Sequence, residues 1–261
     1  MKRVIFSLAS REWIRFFRQP HRVVGSVAQP MLFWLLLGSG FAAPFTTPGG
    51  GQVSYLEYFY PGILLMMMLF SSIFATITII EDRNQGLLQE VLVAPVSPMA
   101  VVLGKVLGAM AIALAQGLLL LFAAPLLGLP LGSNLPFLLV GMILSSLGFT
   151  TIGFFIAWRM ESTAGFHAIM SVFLMPLWML SGALFPLDGA PGWLYAIMIV
   201  NPATHALRLI RMPFYLSVDQ LLANPDFILS LVVAALWAVV CLVVAMHQVS
   251  RQERGEALPP C

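Results

Sequence analysis

The chain has 261 residues, 60% of them hydrophobic and 9% charged, with a formal net charge of +2. A soluble domain carries about 25% charged residues, so this composition excludes a water-soluble globule. No core of this length buries so much apolar surface, and lipid must solvate most of it.

The length suits one bundle of six spans. The two cysteines form no zinc, redox or disulfide pattern, because Cys241 lies in an apolar run and Cys261 is the last residue.

In chain order, the first element is an amphipathic helix over Lys2–Gln19, within an N-terminal cytoplasmic segment 1–22. Arg11, Arg15 and Arg18 recur at i, i+4 and i+7 and so share a face, while Trp13, Phe16 and Phe17 occupy another. Such a helix lies at the headgroup level of an anionic leaflet, and Pro20 ends it.

Six apolar stretches are then long enough to cross the bilayer: Val23–Ala43, Tyr58–Ile80, Met99–Leu127, Leu135–Trp158, Thr163–Phe185 and Phe227–Met246. Lys105, near the start of the third, is expected to snorkel to its cytoplasmic edge. Gly104, Gly108, Ala111 and Ala115 form a small-residue ridge, suited to close packing within the bundle or between subunits. Gln116, a lone amide in the same span, is expected to face protein or a pathway rather than lipid. Met67 and Phe70 in the second span are candidate pathway residues, an adaptable apolar surface.

Eleven basic residues fall on one side of these spans: Lys2, Arg3, Arg11, Arg15, Arg18, Arg22, Arg83, Lys105, Arg159, Arg251 and Arg254. Only Arg208 and Arg211 fall on the other. The positive-inside rule makes the first side cytoplasmic, with both termini there.

The loop 81–98 carries a short helix over Asp82–Leu92. Leu87, Leu88, Val91 and Leu92 share its apolar face, and Pro95 and Pro98 stop it. A helix this short must pack on neighbouring spans, headgroups or another protein.

The segment 186–226 is long yet apolar. Asn201 is placed to cap a helix with Pro202 at its first position, and Trp193–Val200 is too short to cross, so a re-entrant or interfacial helical pair is expected. Arg208 and Arg211 either attract an anionic headgroup, or simply snorkel or pair with Asp219 or Asp226.

The sequence has no G-x-x-x-x-G-K-[ST] loop, no H-E-x-x-H and no catalytic constellation, so neither catalysis nor a metal site is expected. Spans with so little charge argue against an ion-gradient-driven carrier or channel. A membrane-embedded enzyme is the other alternative.

The run Arg83–Val96 with Leu103-Gly104-Lys105 and Gln116 resembles the signature of the type 2 ATP-binding cassette (ABC) permeases. Arg83, Gly86, Leu88, Leu92, Pro95, Gly104, Lys105 and Gln116 match it, while Asn84, Leu87 and Gln89 depart. Asn201-Pro202 resembles the segment before the last span of that family.

The resemblance covers nearly all of residues 1–261 and implies a single transmembrane domain. It is an all-α fold with six spans, the amphipathic helix and the re-entrant pair. The chain would be the permease of an exporter of a hydrophobic or lipid-linked substrate in the cell membrane. It would pair with a second copy or a close paralogue and bind two separate ATPase subunits, with ATP and Mg on those partners and no nucleic acid. Asp82, Arg83, Gly86, Leu88, Gln89, Glu90, Leu92 and Pro95 would couple to the ATPase, and Asn201, Pro202, Arg208 and Arg211 would form an external gate.

Overall fold

A computed structural model describes residues 1–40, 45–46, 52–87, 96–128 and 134–253. Apolar runs in a hydrocarbon solvent must satisfy their own backbone groups, and helices do so within one segment.

The described residues accordingly form helices α1 (Lys2–Phe17), α2 (Pro20–Gly40), α3 (Tyr55–Ala75), α4 (Thr78–Asn84), α5 (Pro98–Leu121), α6 (Leu135–Arg159) and α7 (Thr163–Trp178). These are followed by α8 (Gly192–Val200), α9 (Pro202–Tyr215), α10 (Val218–Ala223) and α11 (Pro225–Glu253). Strand pairing among the described residues is confined to a ladder of two residues per strand, in which Phe45–Thr46 pairs antiparallel with Gln52–Val53.

Six stretches are long and apolar enough to span: Pro20–Gly40, Tyr55–Asn84, Pro98–Leu126, Leu135–Arg159, Thr163–Ala183 and Pro225–Arg251. The chain is therefore a multi-pass membrane protein, as its composition implies. Pro20 does not merely end α1 but opens the first span, where its missing N–H costs nothing. The last span runs from Pro225, two residues before its expected start, and continues past Met246 to Glu253.

The second span is the centre of the bundle. In its most apolar window 89% of residues are buried, against 17% in the first span and 22% in the fifth and sixth. Its helix α3 packs against α2, α5, α6 and α7. Tyr60 and Trp178, both buried, hydrogen-bond across it: Tyr60 donates to the Leu120 carbonyl and Trp178 Nε1 to the Gly62 carbonyl at 2.8 Å.

The exposed sides of the peripheral spans differ in chemistry. Through the middle of α11 the exposed side chains are aliphatic, with Val232, Leu236, Val239, Val240 and Val243 among them. On α2 and α7 they include Gln29, His167 and Ser171.

The small-residue ridge on α5 receives α1. A methyl carbon built on Gly104 would sit 2.7 Å from Leu8 Cβ, and one on Gly108 would sit 2.9 Å from Glu12 Cβ. Only hydrogen at these positions lets the two helix backbones approach so closely. The ridge thus serves packing within one chain at Gly104 and Gly108.

Candidate functional site

Close packing of α1 on α5 brings six charged side chains together at one end of the bundle. Asp82, near the end of α4, is wholly buried. Arg11 grips it with two bonds, Nη2 to Oδ1 at 2.9 Å and Nη1 to Oδ2 at 3.3 Å. Arg15 Nη1 donates to the same Oδ1 at 2.9 Å, and Arg15 Nη2 donates to Glu81 Oε2 at 2.6 Å. Lys105 Nζ donates to Asp82 Oδ2 and, at 2.5 Å, to Glu12 Oε1.

Three cations thus meet three carboxylates, and the cluster is formally neutral. A buried carboxylate is stable at such depth only when paired and hydrogen-bonded, and Asp82 meets both conditions through three separate cations. The cluster ties α1, α4 and α5 together.

Several expectations change here. Lys105 does not snorkel: its side chain is 4% exposed and bound to two carboxylates. Arg11 and Arg15 do not form a headgroup-facing stripe with Arg18. They turn inward to Asp82 and Glu81, while Arg18 stays exposed. The aromatic side of α1 also splits. Phe16 is buried beside Ala75, Ala109 and Ile112, while Trp13 and Phe17 face outward with ring centroids 4.8 Å apart.

The expected single helix over Asp82–Leu92 is interrupted as well. The α4 helix ends at Asn84, and Gly86 turns the chain at φ +78°, a left-handed conformation that glycine adopts without strain. Arg83 folds back onto the end of α6, where Nη1 donates to the Met160 carbonyl at 3.0 Å and Nη2 to the Trp158 carbonyl. Its charge thereby caps the carbonyls of a helix C-terminus. Asn84 Nδ2 likewise reaches the Glu161 carbonyl at 3.2 Å. Leu88, Gln89, Glu90, Leu92 and Pro95 lie outside the described residues.

At the opposite end of the bundle, Asn201 accepts from the Ala203 N–H at 2.9 Å and Pro202 occupies the first turn of α9. Both are as their residue types imply. Asn201 Nδ2 also donates to the Leu177 carbonyl at 2.7 Å, fastening α9 to the end of α7. Arg208 pairs with Asp226 at 3.1 Å.

Arg211 is buried and makes no salt bridge among the described residues. Its Nη1 donates to the Gly182 carbonyl at 2.9 Å and to the Tyr58 hydroxyl at 3.1 Å, and its guanidinium lies 4.2 Å from the Tyr58 ring centroid. The carbonyls it serves belong to a π turn, Met179–Ala183, that follows α7 and is kinked at Gly182, φ +88°. His205 bonds through Nε2 to the Ile199 carbonyl at 2.9 Å and through Nδ1 to the Ser230 hydroxyl at 3.2 Å. A carbonyl only accepts, so Nε2 carries the proton. Burial lowers the pKa of this histidine below its ordinary value.

Of the candidate pathway residues, Gln116 is buried and its Nε2 donates to Ser26 Oγ at 2.9 Å. Phe70 lines a cleft of about 560 Å³ between α2, α3 and α7. Met67 does not line it, while the neighbouring Met66 does; both are 1% exposed and belong to the core.

Sequence reasoning missed Glu12, Glu81 and Lys105 as members of the ion cluster, and Arg22, Ser26, Gln29 and His167 as cleft residues. A usable signal existed for the second group, since Ser26, Gln29 and His167 are polar residues inside apolar spans.

Six spans, an N-terminal helix locked to the second and third of them and a capped helical pair before the last define a membrane subunit of a transporter. The ABC-2 type transporter family model matches residues 3–215, and the chain belongs to that family.

Relatives carry transport names. The ycf38 transport permease of Cyanophora paradoxa is 32% identical over 215 residues, 79% of this chain and 72% of its own length. The inner membrane transport permease YhhJ of Escherichia coli K12 is 27% identical over 152 residues, 58% of this chain and 41% of its own length. YbhR of the same strain, named a multidrug ABC transporter permease, is 24% identical over 156 residues, 59% of this chain and 42% of its own length.

Proposed function

We propose that this chain is the permease of an ABC exporter and that the ion cluster is where an ATPase subunit's motion enters the bundle. On this reading residues 1–261 form one transmembrane domain. It works as a pair with a second copy or close paralogue, and two separate ATPase subunits bind ATP and Mg. Transport runs outward, from the cytoplasm or inner leaflet, and the substrate is hydrophobic or lipid-linked.

The observation that carries the reading is the fixed connection between α1, α4 and α5 through Asp82, four residues before the turn at Gly86. A push on the loop 87–97 that follows would reach the N-terminal helix and the second and third spans together, rather than bending one helix. Moving a gate from 1:99 to 99:1 takes roughly 5.5 kcal/mol. A linkage that transmits such a load needs strong bonds, and charge-assisted ones centred on a buried carboxylate qualify.

Residues Asp82, Arg83 and Gly86 act as the frame of the coupling element. Leu88, Gln89, Glu90, Leu92 and Pro95 are its contact surface. Asn201, Pro202, Arg208 and Arg211 hold the outer end closed. The relatives' transport names and the multidrug name of YbhR support this class of substrate.

The buried charges Lys105, Asp82 and Glu12 could invite the reading of an ion-coupled carrier. Together with Arg11, Arg15 and Glu81 they form a neutral cluster at one end of the bundle, and no run of ionisable groups leads from them across it among the described residues.

The test is co-expression with candidate ABC ATPases. Leu88→Asp and Leu92→Asp should insert and express normally, yet lose both ATPase co-purification and transport. An unpaired carboxylate carried into a partner's groove costs several kcal/mol. Normal co-purification and transport in both variants would remove this loop as the coupling element. ATP-independent transport would favour the ion-coupled carrier.

A further inference from the structure

The cleft beside the ion cluster has a chemistry the coupling role does not use. Along α2, Arg22, Ser26 and Gln29 stand at i, i+4 and i+7 and so form one polar stripe. All three line the cleft, as does His167 on α7 opposite. Its other wall is largely apolar, with Met66, Phe70 and Phe74 of α3 beside Ser71.

Arg22 is part-buried and makes no salt bridge among the described residues. One of its N–H groups bonds the Phe74 carbonyl at 2.9 Å and its guanidinium lies 5.9 Å from the Phe16 ring. A guanidinium has five N–H donors, so most of them remain available. The nearby carboxylate on the cleft wall, Glu81, is already held by Arg15 at 2.6 Å. An unpaired cation at the edge of hydrocarbon is costly unless an anion joins it.

We propose that this cleft binds an amphiphile with an anionic, phosphate-type headgroup. The headgroup sits at Arg22 and the first carbons of its chain lie between the polar stripe of α2 and the Met66–Phe70 wall. The volume fits the range of ligand sites, about 300–1,000 Å³. A planar guanidinium pairs with phosphate through parallel hydrogen bonds. A cleft lined on one side by polar groups and on the other by apolar ones matches a molecule with the same two sides.

The inference deepens the exporter reading, since an inner-leaflet amphiphile is one of the substrates that reading allows. It is tested on the permease alone, so an ATPase that failed to bind would leave it standing.

The purified full-length permease is titrated in detergent with dioleoylphosphatidic acid, dioleoylphosphatidylcholine or inorganic phosphate, and adducts are counted by native mass spectrometry. Phosphatidic acid should be retained at about tenfold lower concentration than phosphatidylcholine, and equimolar inorganic phosphate should not displace it. Arg22→Gln should abolish that preference. Because Arg22 also bonds Phe74, a second variant guards against misfolding. Gly25 lies on the same cleft, and a Cβ added there meets nothing within 4 Å. Gly25→Leu should therefore fold with an unchanged melting temperature and lose the adduct by filling the cleft. Arg18→Gln, exposed and outside the cleft, should keep it.

Three results would overturn the proposal. One is a preference that survives in both Arg22→Gln and Gly25→Leu. Another is equal loss in Arg18→Gln, which would mark general attraction to a basic end. The third is displacement by inorganic phosphate, which would mark an anion site with no place for a chain.

Discussion

Lys105 is the only ion-pair partner of Glu12 among the described residues, whereas Asp82 is shared by Arg11, Arg15 and Lys105. This asymmetry gives a sharp expectation. Lys105→Met strands Glu12 as a buried, uncompensated carboxylate, which costs roughly 3–5 kcal/mol. Adding Glu12→Gln should recover part of that loss, because the stranded charge is gone. Thermal unfolding of the two single variants and the double in one detergent gives the coupling, and additive losses would show that the two side chains are independent.

Arg211 makes a second case. Without its donors the Ala183 carbonyl loses the bond it accepts from Arg211, and the Gly182 carbonyl keeps only the longer one from the Tyr58 hydroxyl at 3.4 Å; a buried group left unpaired costs about 1–3 kcal/mol. Arg211→Met should lower the melting temperature more than Arg208→Met, whose partner Asp226 is largely exposed.

Two helices decide how the molecule hangs together, and they were legible to different degrees. The helix over α1 was readable from arginine spacing, and the ridge on α5 from glycine spacing. That the ridge receives α1 was not, because periodicity within one helix says nothing about its neighbour. Glu12 and Lys105 lie ninety-three residues apart and Arg11 and Asp82 seventy-one apart, so no local pattern links them.

The split of the coupling segment at Gly86 was hidden for another reason. The sequence pattern starts a new helix at Asp82, whereas Glu81 to Asn84 are the last turn of a helix that begins at Thr78, with Asp82 buried in it. Asn201 and Pro202 were legible because capping is local chemistry.

The packing of α1 has its own test. Gly104→Leu should force α1 off α5, since the added atoms have no space. Hydrogen exchange should then accelerate over Lys2–Phe17 while α3 stays protected. Uniform acceleration along the chain would mean global destabilisation instead.

At the scale of the whole molecule, the asymmetry of basic residues sets the orientation we propose, with both termini cytoplasmic. Single cysteines introduced at exposed positions within 189–226, such as 189, 219 and 222, should react with membrane-impermeant thiol reagents from outside intact cells. Cysteines within 84–87 or 96–97 should react only after the membrane is opened, and the reverse pattern would invert the orientation.

The ion cluster also has a consequence for biosynthesis. Arg11, Glu12 and Arg15 emerge first, Glu81 and Asp82 much later, and Lys105 last. At ribosomal speeds of about 5–20 residues per second, roughly 5–20 s separate Glu12 from its lysine. Through that interval the N-terminal helix must wait at the membrane surface with its acid unpaired. The third span, on arrival, delivers both the glycine seat and the missing charge. Nascent chains halted before Lys105 should therefore keep their N-terminal helix open to added protease, and chains released just beyond the third span should protect it.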